Sequence, residues 1–195
     1  MQTGYLFPQK HTDAQNYYYF DDGFSAEDLD KIYTEVGEIP FMEATTIGGD
    51  NKKARSSSIK WVPQNDQWQW LYERLTNMII EANDILWNFD LLSAPEQIQY
   101  TEYYASEGGH YTWHQDIGPE MLSLRKVSIT VQLSSPDEYT GGDLEIWQGG
   151  EGPIVTPRGK GTVVIFPSYM MHRVSTVTTG TRRSFVLWAG GGHYR

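Results

Sequence analysis

The chain contains no cysteine. That excludes disulfides, thiolate metal sites and a cysteine nucleophile. No hydrophobic run approaches the ~20 consecutive apolar residues that a membrane-spanning helix needs. Met1 is followed by polar residues rather than a secretory leader. The expectation is a soluble, cytoplasmic chain with no membrane partner. Basic clusters are also scarce: Lys52-Lys53-Ala54-Arg55 is the densest, against a formal net charge of −10. Proteins that grip a phosphate backbone are ordinarily basic over the binding face, so the charge weighs against nucleic acid. No repeat or low-complexity tract is present, and 195 residues suit one core better than two. A single domain over 1–195 is expected.

Aromatic residues are plentiful at 14%, which suits a β-rich fold with a lined cavity. Residues 1–16 are polar and irregular and read as a loosely held arm. Tyr17–Phe20 reads as a strand, followed by a turn at Asp21-Asp22-Gly23. A helix starts at Ser25, which can cap it, and runs to about Val36. Residues 41–62 read as two strands around a loop at 48–53, the return strand being Ser57–Val62. A second helix is expected from Asp66 to Phe89, because Trp68, Leu71, Leu75, Met78, Ala82, Leu86 and Phe89 recur at helical steps.

From Ile98 the pattern changes to eight short strands with Gly and Pro punctuation, at 98–105, 110–116, 126–133, 142–147, 153–155, 161–166, 171–177 and 183–189. That predicts a β-rich α+β fold: a double-stranded β-helix, or jelly roll, with the two helices packed against its major sheet. Residues 1–97 would supply N-terminal strands and supporting helices, and 98–190 the core.

Within that core stands His114-Gln115-Asp116. On a strand, residues two apart share a face, so one imidazole and one carboxylate can reach one point. Those are two of the three ligands of a non-haem Fe(II) facial triad. The third belongs on a distant strand, since a roll closes back on itself. His11 and His193 lie near the termini, and His110 goes with the turn before His114. His172 remains, 58 residues beyond His114. Arg182, ten residues further on, could grip a carboxylate with two parallel hydrogen bonds; Arg183 would point the other way. Alone, a His-x-Asp pair is commonly coincidence. Its weight comes from the other two residues.

This half of the chain resembles the Fe(II)/2-oxoglutarate-dependent dioxygenases, within them the prolyl 4-hydroxylase-like branch. His114, Asp116, His172 and Arg182 match the family's order and spacing. Tyr104, Tyr111, Gly141-Gly142-Asp143-Leu144, Phe166-Pro167 and Trp188 also match, and Arg55–Trp61 is similar to the strand lining the family's substrate entrance. The resemblance implies Fe(II), 2-oxoglutarate and O2, with ascorbate as an accessory. It implies hydroxylation through a ferryl species, with release of succinate and CO2. His114, Asp116 and His172 would bind the metal and carry the catalysis. Arg182, Tyr104, Gln132, Thr130, Trp188 and Leu144 would surround the cosubstrate. Arg55, Trp61 and Tyr111 would meet a protein or peptide substrate carrying a prolyl or similar residue, and the 48–56 loop would act as a lid. Gln132 stands where some prolyl hydroxylases have Tyr, and Ser57 where some relatives have an acid.

Two other functions are open on the sequence. Nucleic-acid demethylation by the same chemistry would want a basic groove. A non-catalytic jelly-roll binding protein would have lost some ligands.

Overall fold

The computed structural model describes residues 15–43 and 52–192. The expected arm over most of 1–16, the 48–51 part of the expected lid, His11 and His193 lie outside them.

The chain enters through β1 (Tyr18–Phe20) and α1 (Ala26–Gly37). Ser25 caps α1: its Oγ accepts from Asp28 N at 3.1 Å, and Asp28 Oδ2 accepts from Ser25 N at 2.9 Å. This reciprocal box satisfies donors that the first helical turn would otherwise strand. Arg74 adds an ion pair to Asp28 at 2.6 Å. That bond, with the cap, outweighs burial and holds the Asp28 carboxyl down to about 2 from 3.8. A carboxyl depressed in the fold stabilises it above the unfolded value, and the contribution fades as pH falls toward the folded value. Asp28→Asn is therefore expected to flatten the loss of stability between about pH 4 and pH 2 in urea unfolding. An unchanged acid limb would refute this.

After β2 (Met42–Glu43) come β3 (Arg55–Ser56) and β4 (Ser58–Val62). The return strand expected at 57–62 is thus β4, and a separate short strand, β3, precedes it. β3 pairs with β7 (His110–His114), whereas β4 pairs with β6 (Ile98–Tyr104) in the other sheet. The backbone changes sheets at Ser57.

α2 (Gln69–Ala82) ends earlier than its apolar stripe suggested. A π turn follows at Asn83–Trp87 and closes at Asn88, in the left-handed region at φ 53°. The buried Asn83 side chain explains the stop, since it bonds both Phe89 N and Phe89 O. That offers the chain local partners in place of helical ones. On the inward face Ile79 is fully buried, and Met78 packs at its margin.

The remaining strands are β5 (Leu91–Ser93), β8 (Arg125–Gln132), β9 (Tyr139–Gly141), β10 (Leu144–Trp147), β11 (Pro153–Val155), β12 (Val163–Pro167), β13 (His172–Val174) and β14 (Val177–Gly191). The major sheet runs β1-β12-β8-β14-β6-β4-β2, with β5 and β9 also paired to β14; the minor sheet runs β11-β10-β13-β7-β3. The fold is a jelly roll, and both helices cover the outer face of the major sheet. Val127, Ile129, Val131 and Leu133 project into that helix-covered core with Ile98, Tyr100, Phe185 and Leu187. Each such side chain contributes about 1.5–3 kcal/mol by leaving water. The alternate residues Ser128, Thr130 and Gln132 take the inner face, between the sheets.

Candidate active site

His114 ends β7 and His172 begins β13, and the two are directly paired across the minor sheet. Their rings lie 4.1 Å apart, centroid to centroid. Each Nδ1 faces a backbone carbonyl, Thr112 O at 2.7 Å from His114 and Met170 O at 2.9 Å from His172. A carbonyl only accepts, so Nδ1 carries a proton in both rings and Nε2 is the nitrogen left to ligate. Burial first, then the neighbouring His172, holds the His114 imidazole down to about 3. It is neutral at physiological pH, as a metal ligand must be.

Asp116 meets these nitrogens. Its Oδ1 lies 3.7 Å from His114 Nε2 and its Oδ2 3.6 Å from His172 Nε2. β7 stops at His114, so strand alternation is not what aims this carboxylate. Asp116 N donates to Ser168 O at 2.9 Å, Arg125 donates to Asp116 O, and Ser128 Oγ donates to Asp116 Oδ2 at 2.6 Å. Ser128 is itself bonded to Ser168. The turn between β12 and β13 therefore positions Asp116 as well as His172. Burial alone would push the Asp116 carboxyl up. The two imidazoles, the Ser128 hydroxyl and Arg125 prevail, and it lies below its usual range.

The donor atoms of His114, Asp116 and His172 lie within 4.8 Å of one another. Two imidazoles and one carboxylate on one side of a point fit six-coordinate Fe(II), with positions left for other ligands.

These residues line a cavity of ≈ 360 Å³ between the sheets. Arg182, 2% exposed, is bonded by Nη1 to Ser184 Oγ at 3.1 Å and by Nη2 to Gln132 Oε1 at 3.0 Å. Both partners are neutral, and its buried Nε has no partner. A guanidinium so placed fits a small dicarboxylate. The Gly141-Gly142 turn closes over it. Both glycines have positive φ, and a Cβ on Gly142 would lie 3.1 Å from Arg182 Cδ, so a side chain there would push the guanidinium stem aside.

Thr130, Leu144, Trp188, Arg55, Trp61 and Tyr111 all line the cavity. Tyr111 stacks on His114 at 3.5 Å. Gln132 stands behind Arg182 as its hydrogen-bond partner.

Tyr104 is the correction. It lies on the far face of β6, where its hydroxyl bonds Glu102, and Tyr103 lines the cavity instead. Alternation from the core residues Ile98 and Tyr100 puts even positions of β6 outside and Gln99, Thr101 and Tyr103 inside. Arg183 also turns outward, to Glu102 at 3.1 Å.

Sequence reasoning also missed Gln99, Glu96 and Arg125. Arg125 bonds Glu96 through Nε at 2.6 Å and through Nη2, and lies 3.7 Å over the Trp188 ring. No local motif announces a pair joining a loop to a strand 29 residues later.

Comparison with known proteins agrees with this geometry. Residues 98–190 match the model of the 2OG-Fe(II) oxygenase superfamily. A PKHD-type hydroxylase of Teredinibacter turnerae is 34% identical over 164 residues, covering 81% of this chain and 70% of that protein. Another, from Crocosphaera subtropica, is 30% identical over 172 residues, covering 86% and 75%. Among solved structures, a Trichoplax adhaerens prolyl hydroxylase, in complex with a hypoxia inducible factor peptide fragment, superposes with a TM-score of 0.74. It shares 15% identity, over 90% of this chain and 83% of that one. The chain belongs to the 2OG-Fe(II) oxygenase superfamily, as an Fe(II)- and 2-oxoglutarate-dependent hydroxylase of the prolyl hydroxylase-like, PKHD type.

Proposed function

We propose that this hydroxylase acts on a prolyl or similar residue of a peptide or protein, with residues 98–190 as the catalytic core of a single domain and the segment before it as support. The observation that carries this reading is one cavity containing three converging metal-type donors and a buried guanidinium with an unpartnered Nε.

His114, Asp116 and His172 hold Fe(II). With 2-oxoglutarate and O2, the metal supplies the oxidative decarboxylation that ends in C–H hydroxylation, yielding succinate and CO2. The protein's share is binding and orientation. The Thr112 and Met170 carbonyls fix both imidazoles in the ligating tautomer. Ser128 and Arg125 hold the Asp116 carboxylate ionised and aimed. Arg182, itself held by Gln132 and Ser184, takes the distal carboxylate of 2-oxoglutarate, and Tyr103 and Thr130 line the same chamber. Leu144, Phe166 and Trp188 wall it with apolar surface and exclude water. Arg55, Trp61 and Tyr111 stand where the substrate arrives.

Anaerobic titration with Fe(II) and then 2-oxoglutarate is expected to give the weak visible charge-transfer band of the chelate. No band would refute the metal and cosubstrate assignments. A screen of prolyl peptides for a mass gain of one oxygen then tests the substrate. Turnover only on non-peptide compounds would refute that part.

A further inference from the structure

Three guanidinium groups line the catalytic cavity: Arg55, Arg125 and Arg182. They differ in how their charge is met. Arg125 is neutralised by Glu96 through two hydrogen bonds. Arg182 has neutral partners and, in the function proposed above, receives the distal carboxylate of 2-oxoglutarate. Arg55 is the third. It is 9% exposed, and its Nε donates to Ser57 Oγ at 2.8 Å and its Nη2 to Gln99 Oε1 at 2.7 Å. Its guanidinium lies 4.9 Å above the Tyr111 ring. Among the described residues it enters no ion pair.

Among the described residues, the acids of the cavity wall do not supply the missing charge. Among the described residues, two carboxylates line the cavity, Glu96 and Asp116. The first is committed to Arg125 and the second to the imidazoles. Glu102 lies on the other face of β6, bonded to Tyr100, Tyr104 and Arg183. A buried cation without a counter-charge is costly, and an arriving anion recovers that cost. The chain as a whole carries −10 and repels anions, so an anion is favoured only where the local field is positive.

We infer that the substrate carries a carboxylate close to the carbon that is oxidised, and that Arg55 binds it. The geometry supports the closeness. Arg55 sits on Tyr111, and Tyr111 sits on the ligand imidazole of His114, so one aromatic ring separates the guanidinium from the metal site. β3 pairs Arg55 with Tyr111 in register, and Gln99 ties the same guanidinium to the major sheet. The cation is thus fixed at the junction of the two sheets. The substrate class is a peptide or protein with a free C-terminal or acidic side-chain carboxylate beside the reacting prolyl residue. This rests on the reading of the cavity as a hydroxylase site.

The test uses pairs of ligands that differ only in charge: N-acetyl-L-proline and its primary amide, and prolyl peptides with an adjacent Glu or Gln. Each is titrated anaerobically into enzyme loaded with Fe(II) and 2-oxoglutarate, and binding is followed by tryptophan fluorescence from Trp61 and Trp188 in the cavity wall. The acid of at least one pair is expected to bind about tenfold or more tightly than its amide. Arg55→Gln is expected to erase that preference. Arg55→Lys, which keeps the charge, retains part of it and so separates lost charge from lost fold. No preference in any pair, binding of neither member included, overturns the inference, as does a preference that survives in Arg55→Gln. Failure of the hydroxylase reading shows separately, as a missing charge-transfer band in the unmutated protein.

Discussion

Asp116→Ala is expected to abolish both hydroxylation and the charge-transfer band of the Fe(II)–2-oxoglutarate chelate. The variant keeps the two imidazoles and loses the only anionic donor of the cluster. It also leaves Ser128 Oγ, which donates to that carboxylate at 2.6 Å, with one acceptor fewer in a fully buried position. Removing an outer hydrogen-bond partner of a metal ligand typically costs about 10–100-fold in affinity or activity. Removing the ligand itself is expected to exceed about 100-fold. Metal content after dialysis and the visible spectrum read the effect directly. Full iron loading with normal turnover would show that the carboxylate is not a ligand.

Arg182→Ala is expected to fail differently. A fully buried guanidinium with two neutral side-chain partners and an unpartnered Nε is set up to meet an anion. Removing one partner of a buried charge pair costs about 3–5 kcal/mol, so the half-saturating concentration of 2-oxoglutarate should rise by about 10²–10³-fold or more. Much of the lost rate should return at high 2-oxoglutarate, which Asp116→Ala cannot show. Arg182→Lys is expected to recover only part of the affinity, because an ammonium lacks the flat fork that takes a carboxylate with parallel bonds. Unchanged 2-oxoglutarate dependence would place the distal carboxylate elsewhere.

The sequence makes some features plain and hides others for physical reasons. Helices α1 and α2 are legible because each buries one stripe, and their apolar residues keep a helical period. The core face of β8 is legible because Val127, Ile129, Val131 and Leu133 alternate with polar residues that look into the cavity. His114, Asp116 and His172 are legible because ligand chemistry tolerates few residue types. Tyr103 is not, because β6 is buried on both faces and polarity no longer marks which side a residue takes. Taking Tyr104 for the lining residue is a slip of one position, which on a strand reverses the face. The change of sheet at Ser57 left no mark either. It is set by pairing with β7 and β6, strands that lie far along the chain. The Arg55–Gln99 and Arg125–Glu96 contacts are hidden for the same reason.

β14 has a consequence for how the protein is made. It is the last of the described strands to leave the ribosome, yet it lies between β8 and β6 in the middle of the major sheet. Until it emerges, β6 and β8 present facing edges with no strand between them, and unpaired edges recruit other chains. Arg182 arrives on this strand, so the cavity wall is completed by the same event that closes the sheet. Nascent chains stalled before Val177 should therefore depend on chaperones, and 2-oxoglutarate should rescue only chains whose synthesis has passed β14.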